Sequence, residues 1–152
     1  MVTLSTTAAP ILEEVLKAIP VLYYALIFSD ERHILLSEAV MTGIGFAILE
    51  NITIIIQTID TVTISWAVMR VIGATLMHAI CTSSVGLGIS YVRKRRKLFF
   101  CGTFALLSAA ITFHAVFNVL VRSQYKAMAF ILPSVFYLYF LLHEVLKKRK
   151  NK

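Results

Sequence analysis

The sequence predicts an all-α, polytopic membrane bundle of about five transmembrane helices, with the N-terminus outside and the C-terminus inside. Three observations predict it. The 152 residues are 59% hydrophobic and 15% charged, with a net charge of +7. An average soluble domain is roughly 45–50% apolar and about 25% charged. The apolar residues form continuous runs long enough for a hydrocarbon core about 30 Å thick, which takes about 20 helical residues to cross. The basic residues flank those runs, the pattern of membrane anchoring, so the charge calls for no nucleic-acid partner. Runs that do not alternate argue against a β-barrel, and two Cys are too few for a disulfide scaffold.

The first span, residues 8–28, is the weakest by hydropathy because Glu13, Glu14 and Lys17 sit inside it. The second, 34–58, is apolar except for Glu38 near one end and Glu50 further along. The third, 62–92, is long and carries Arg70 and His78. The fourth, 98–121, has no Asp, Glu, Lys or Arg. The fifth, 127–146, is clean until His143 and Glu144, which read with His33 as inert residues at span ends. Connectors are short and polar, so 1–152 reads as a single integral-membrane domain, multi-pass in the cell membrane. With the N-terminus outside, the inner side receives Arg32, five basic residues at 93–97 and five in the last six positions. The outer side receives Arg122 and Lys126, a strong positive-inside bias. Cys81 and Cys101 fall at different depths and read as two buried apolar thiols. The aromatic run at 136–140 reads as lipid-facing packing.

Ionisable groups inside a bilayer cost at least ~2.5–3.5 kcal/mol each and are therefore informative. At about 1.5 Å per residue, Glu13 and Glu14 lie roughly 8–9 Å from the outer surface, His114 roughly 10 Å and Glu50 roughly 12 Å. Arg70 lies at a similar level, Asn118 nearer the surface, and His78 deeper. Four helices thus aim polar groups at one zone. Glu13 and Lys17 are four apart and can partly neutralise each other. Lys17 reads as a balance for the acids. Glu13 and Glu14 are about 100° apart, so at most one faces a given partner. His114 and Asn118 share a face. Gly43, Ala47 and Glu50 form a small-residue stripe that lets another backbone approach. Arg70 reads equally as a site residue or as a snorkelling one.

A carboxylate beside an imidazole can hold and deprotonate a water, and a second imidazole with a carboxamide can donate to a developing oxyanion. Those are the parts of a hydrolytic site for an amide bond. The same inventory permits a metal site of two His and one or two Glu, with Glu13, His78 and His114 as donors for a divalent metal such as zinc. No His-Glu-x-x-His pair is present, and no cofactor is expected from the residues alone. Intramembrane carboxylates and His also mark ion paths in proton-coupled transporters. A catalytically silent relative that binds a membrane partner is the third reading.

The motifs also carry a resemblance. Residues 9–17 (APILEEVLK), 43–51 (GIGFAILEN), Arg70 leading to His78, and 114–118 (HAVFN) stand in that order on successive spans. In this the sequence resembles the PrsW family of intramembrane proteases, within a superfamily that includes type II CAAX-prenyl endopeptidases and bacteriocin-processing membrane proteins. The resemblance implies an intramembrane endopeptidase acting on a membrane-embedded protein such as an anti-sigma factor. It implies Glu13 and Glu14 as the water-activating pair with His78 as their partner, and His114 and Asn118 as the oxyanion pair. Glu50, Asn51 and Arg70 are implied as supporting residues. Two departures stand out. Family members usually carry spans before the Glu-Glu helix, where this chain has about seven residues, and the aromatic expected three residues after Asn51 is Ile54.

Overall fold

The computed structural model describes residues 8–29 and 31–150. They form five helices: α1 (Ala9–Ile27), α2 (Arg32–Gln57), α3 (Ile64–Val92), α4 (Arg96–Arg122) and α5 (Lys126–Lys150), with no strand among the described residues. Short connections make each helix antiparallel to the last. The helix starts have local causes. Pro10 sits in the first turn of α1, where its missing N–H costs nothing. Thr63 caps α3 by accepting from the Trp66 N–H at 3.3 Å. Both α4 and α5 run further into their basic flanks than the apolar pattern alone suggests.

Three helices are long and apolar enough to cross a membrane by composition: Arg32–Gln57, Ile64–Val92 and Lys97–Arg122. Helix α1 falls outside that group because of its three charges, yet its packing resolves the difficulty. Glu14 and Lys17 are buried, whereas Leu12, Ile19, Tyr23 and Ile27 are exposed. The polar face turns inward and the apolar face outward, the reverse of a soluble amphipathic helix. Helix α5 is apolar over Ala127–Tyr139. Its Phe136, Tyr137, Leu138 and Tyr139 are exposed, as a lipid-facing segment would be.

Helix α3 lies at the centre and packs on all four others, while α5 packs on α3 and α4. Small residues set the closest approach. Along α2, Leu35, Ala39, Gly43, Ala47 and Asn51 recur every four residues and are all buried. A Cβ on Gly43 would lie 2.7 Å from the His78 carbonyl oxygen, so the backbones of α2 and α3 almost touch there. Gly86 admits Ala39 of α2 in the same way. The basic end is also tied together. Arg93 donates to the Leu26 carbonyl at 3.2 Å, and Arg32 lies 5.7 Å from the Tyr91 ring centroid. The last turns of α1 and α3 and the first turns of α2 and α4 therefore share one end of the bundle. Cys81 is buried against Met77 and Ala110, but Cys101 is exposed, contrary to the expectation of two buried thiols. The small side chain at 101 lies on the outer side of its helix, away from the bundle interior.

Candidate active site in the bundle interior

The half of the bundle away from the basic end holds a continuous polar network built from α1, α2, α3 and α4. Helix α1 supplies Glu14 and Lys17, three residues apart and each only 1% exposed. The Lys17 Nζ lies 2.5 Å from Glu14 Oε1 and 2.7 Å from His78 Nδ1. His78 Nε2 lies 2.8 Å from Glu50 Oε2, and Arg70 donates to Glu50 Oε1 at 2.9 Å. The chain runs Glu14, Lys17, His78, Glu50, Arg70, so cations alternate with carboxylates around a central imidazole. An ammonium can only donate. With Lys17 charged, His78 Nδ1 is an acceptor, and the His78 proton sits on Nε2, donated to Glu50.

His114 closes the other side. Its Nδ1 lies 2.8 Å from Glu14 Oε1, and its Nε2 lies 3.6 Å from Glu13 Oε2. Carboxylate oxygens only accept, so Nδ1–H donates to Glu14. In a neutral His114 this turns the Nε2 lone pair toward Glu13. Glu13 Oε2 is buried and has no hydrogen-bond partner. The rings of His78 and His114 meet edge to face, 4.9 Å between centroids. Glu13, Glu14 and Glu50 face Lys17 and Arg70, so with both imidazoles neutral the network is one positive charge short of neutrality. A shared proton or a bound cation would supply it.

These contacts revise several expectations. Lys17 pairs with Glu14, not with Glu13: both spacings share a helix face, but Lys17 and Glu14 are the two buried side chains, with His78 against Lys17. Beyond balancing an acid, Lys17 joins α1 to His78. His114 bonds Glu14 directly, while His78 is joined to Glu14 through Lys17 and has a donor atom within 4.8 Å of Glu13. Both acids also face one partner, which their angular separation seemed to forbid. His114 offers two ring nitrogens on opposite edges, one to each carboxylate. Arg70 points inward to Glu50 and does not snorkel, with its guanidinium 5.9 Å from the Trp66 ring. His78 belongs to the cluster despite its deeper position, since Glu50 reaches both it and the long Arg70 side chain.

Asn118 is half-buried one turn beyond His114, and no hydrogen bond joins it to the cluster among the described residues. Asn51 is 4% exposed, and both of its amide atoms are buried without a partner. Phe46 was missed from sequence. Its ring packs on His78 at 5.6 Å between centroids and lies 5.1 Å from the Lys17 Nζ. Its position four residues before Glu50, on the same face of α2, was the available signal.

Glu13, His78 and His114 each offer a donor atom within 4.8 Å of one another. Zinc takes imidazole nitrogen and carboxylate oxygen at about 2.0–2.2 Å. The 3.6 Å between Glu13 Oε2 and His114 Nε2 suits two donors on one ion. His78 has Lys17 on one nitrogen and Glu50 on the other, and would have to release one of them to join. The donor set therefore fits a divalent cation, with Glu13 and His114 poised and His78 conditional.

A family model described as PrsW family intramembrane metalloprotease matches residues 1–143. No curated protein and no solved structure matches the chain.

Proposed function

The chain belongs to the PrsW family of intramembrane metalloproteases, and on that premise we propose that Glu13 and His114 activate the water that cuts a peptide bond of a membrane-embedded protein. One observation carries the reading: Glu13 Oε2 is buried without a hydrogen-bond partner and faces His114 Nε2 across 3.6 Å. A water between them would donate one hydrogen to each and present a lone pair to a carbonyl carbon. Glu13 takes the proton as the water oxygen bonds to that carbon, and returns it to the nitrogen as the C–N bond breaks. Glu14 fixes the His114 ring through Nδ1. Lys17 holds Glu14 as a carboxylate and locks the orientation of His78.

The Asn118 amide, on the His114 face, donates to the oxyanion. Glu50 and Arg70 hold the α2–α3 side in place, and Asn51 supports them. A divalent cation held by Glu13 and His114, with His78 as a third donor, would supply Lewis-acid activation at the same point. The orientation is N-terminus out and C-terminus in, so the cut falls in the outer half of the cell membrane. The substrate class is a membrane-anchored regulatory protein of the anti-sigma-factor kind.

The test compares membrane-protein fragments from cells making the wild type and Glu13→Gln at matched levels. Fragments present only with the wild type support the reading and identify the substrate. Identical profiles, with both proteins folded, would refute it.

A further inference from the structure

Beside the network, α3, α4 and α5 line a second feature, partly open to the outside of the bundle, that the reaction steps above do not use. A cavity of about 180 Å³ is lined by Trp66, Met69, Arg70, Phe117, Val121 and Phe130, among others. Its walls are apolar apart from Arg70. That residue donates through Nη2 to Glu50, yet its Nε is buried with no hydrogen-bond partner. The cavity adjoins the site on two helices. Arg70 reaches His78 through Glu50, and Phe117 follows His114 by three residues on α4.

We propose that this cavity is the specificity subsite of the protease: it takes one apolar side chain of the transmembrane segment being cut. The inference rests on the protease reading. Size supports it, since a dry apolar cavity of about 150 Å³ accepts a benzene ring. The cavity therefore suits a Leu- or Phe-sized side chain. Position supports it as well. Arg70 on the cavity wall is joined through Glu50 to His78, and Phe117 lies one turn from His114 on α4. A segment held for cleavage at His114 brings a neighbouring side chain to this cavity, whereas a lipid acyl chain has no group that ties it there.

Phe130 sets the width. Its ring lies over Gly73, where a Cβ would come within 2.5 Å of it, so the missing side chain at 73 lets the ring settle on α3. Removing the ring opens the cavity, and a larger residue at Val121 narrows it from α4.

The test profiles cleavage sites in membranes of cells making wild type, Phe130→Ala or Val121→Trp, with Glu13→Gln as the blank. Wild type is expected to prefer Leu- or Phe-sized residues at one fixed position near the cut. Phe130→Ala should move that preference toward Trp by about tenfold, the discrimination that small changes in an apolar pocket give. Val121→Trp should move it toward Ala and Val, and it keeps the test decisive if Phe130→Ala does not fold. Unchanged residue preference in both folded variants overturns the subsite. Lipid retained by the wild type and lost from Phe130→Ala, with preference unchanged, assigns the cavity to lipid and also overturns it. A wild-type profile no different from the Glu13→Gln blank instead removes the protease reading, and the subsite with it.

Discussion

The same substitution two residues apart on α2 should have opposite effects. Gly43→Ala places a Cβ 2.7 Å from the His78 carbonyl oxygen and 3.0 Å from both the His78 carbonyl carbon and the Ala79 Cα. All three are backbone atoms of a central helix and cannot rotate away. Relief requires α2 and α3 to separate by several tenths of an ångström. Overpacking of this kind costs about 1–3 kcal/mol, offset by about 1 kcal/mol of helix propensity gained on replacing Gly. The net expectation is a loss of up to about 2 kcal/mol. Gly45 meets nothing within 4 Å, so Gly45→Ala should keep the propensity gain of up to about 1 kcal/mol.

Function separates the two further. Movement of α2 off α3 pulls Glu50 from His78, now 2.8 Å apart. Misplacement of a catalytic constellation by about 1 Å costs roughly 100-fold, so Gly43→Ala should lose about 10- to 100-fold in cleavage rate while Gly45→Ala loses none. Thermal unfolding in detergent and cleavage of the substrate identified by fragment profiling are the assays. Equal midpoints and equal rates for the two variants would refute the close approach of α2 to α3 on which the argument depends.

Other substitutions probe the network. Lys17→Met leaves Glu14 buried without its ammonium and should cost about 3–5 kcal/mol, whereas Lys17→Met with Glu14→Leu should recover only part of that stability, because His114 Nδ1–H then lacks its acceptor. Unfolding midpoints of the two proteins measure the difference, and the double variant should still be inactive. Glu50→Gln keeps the shape but removes the charge facing Arg70, and activity should fall about 10- to 100-fold; Glu38→Gln in the same helix should leave it unchanged. Asn51→Leu removes two unpartnered buried polar atoms and should raise stability by about 1 kcal/mol, read as a higher unfolding midpoint. A lower midpoint would mean that a bound water satisfies the amide in the native protein.

Most of the architecture was legible in sequence because a bilayer demands long apolar runs, and α2, α3 and α4 meet that demand by composition. Helix α1 was legible mainly through its motif, since its charges lower the hydropathy that reveals the others. The order of polar residues along the chain also indicated which helices meet. Rotation about each helix axis was not legible. Whether Lys17 turns to Glu13 or Glu14 depends on where α3 places His78, which depends in turn on the depth at which Gly43 lets the helices touch. That Gly was visible as part of a small-residue stripe, but its contact with the His78 carbonyl required the packed structure. Which imidazole bonds Glu14 has the same origin. Both are intramembrane His on neighbouring helices, and only side-chain direction distinguishes His114, which reaches Glu14 directly.

The hydrogen bond between Glu14 and His114 joins residues 100 positions apart. At roughly 5–20 residues per second of synthesis, about 5–20 s separate the two at the ribosome. During that interval Glu14 and Lys17 can hold each other, but His78 is absent for about the first two thirds of it and His114 throughout. A nascent α1 with three charges is a poor candidate for lipid by itself. Its lodging in the bilayer should therefore wait on α3 and α4, so that α1 settles after the helices that follow it in the chain. Membrane biogenesis of this chain should accordingly depend on an insertase that shelters a polar helix until its partners arrive. With truncation before α4, a cysteine placed at Ala18 should stay open to a water-soluble maleimide, whereas the full chain, in which Ala18 is buried, shields it.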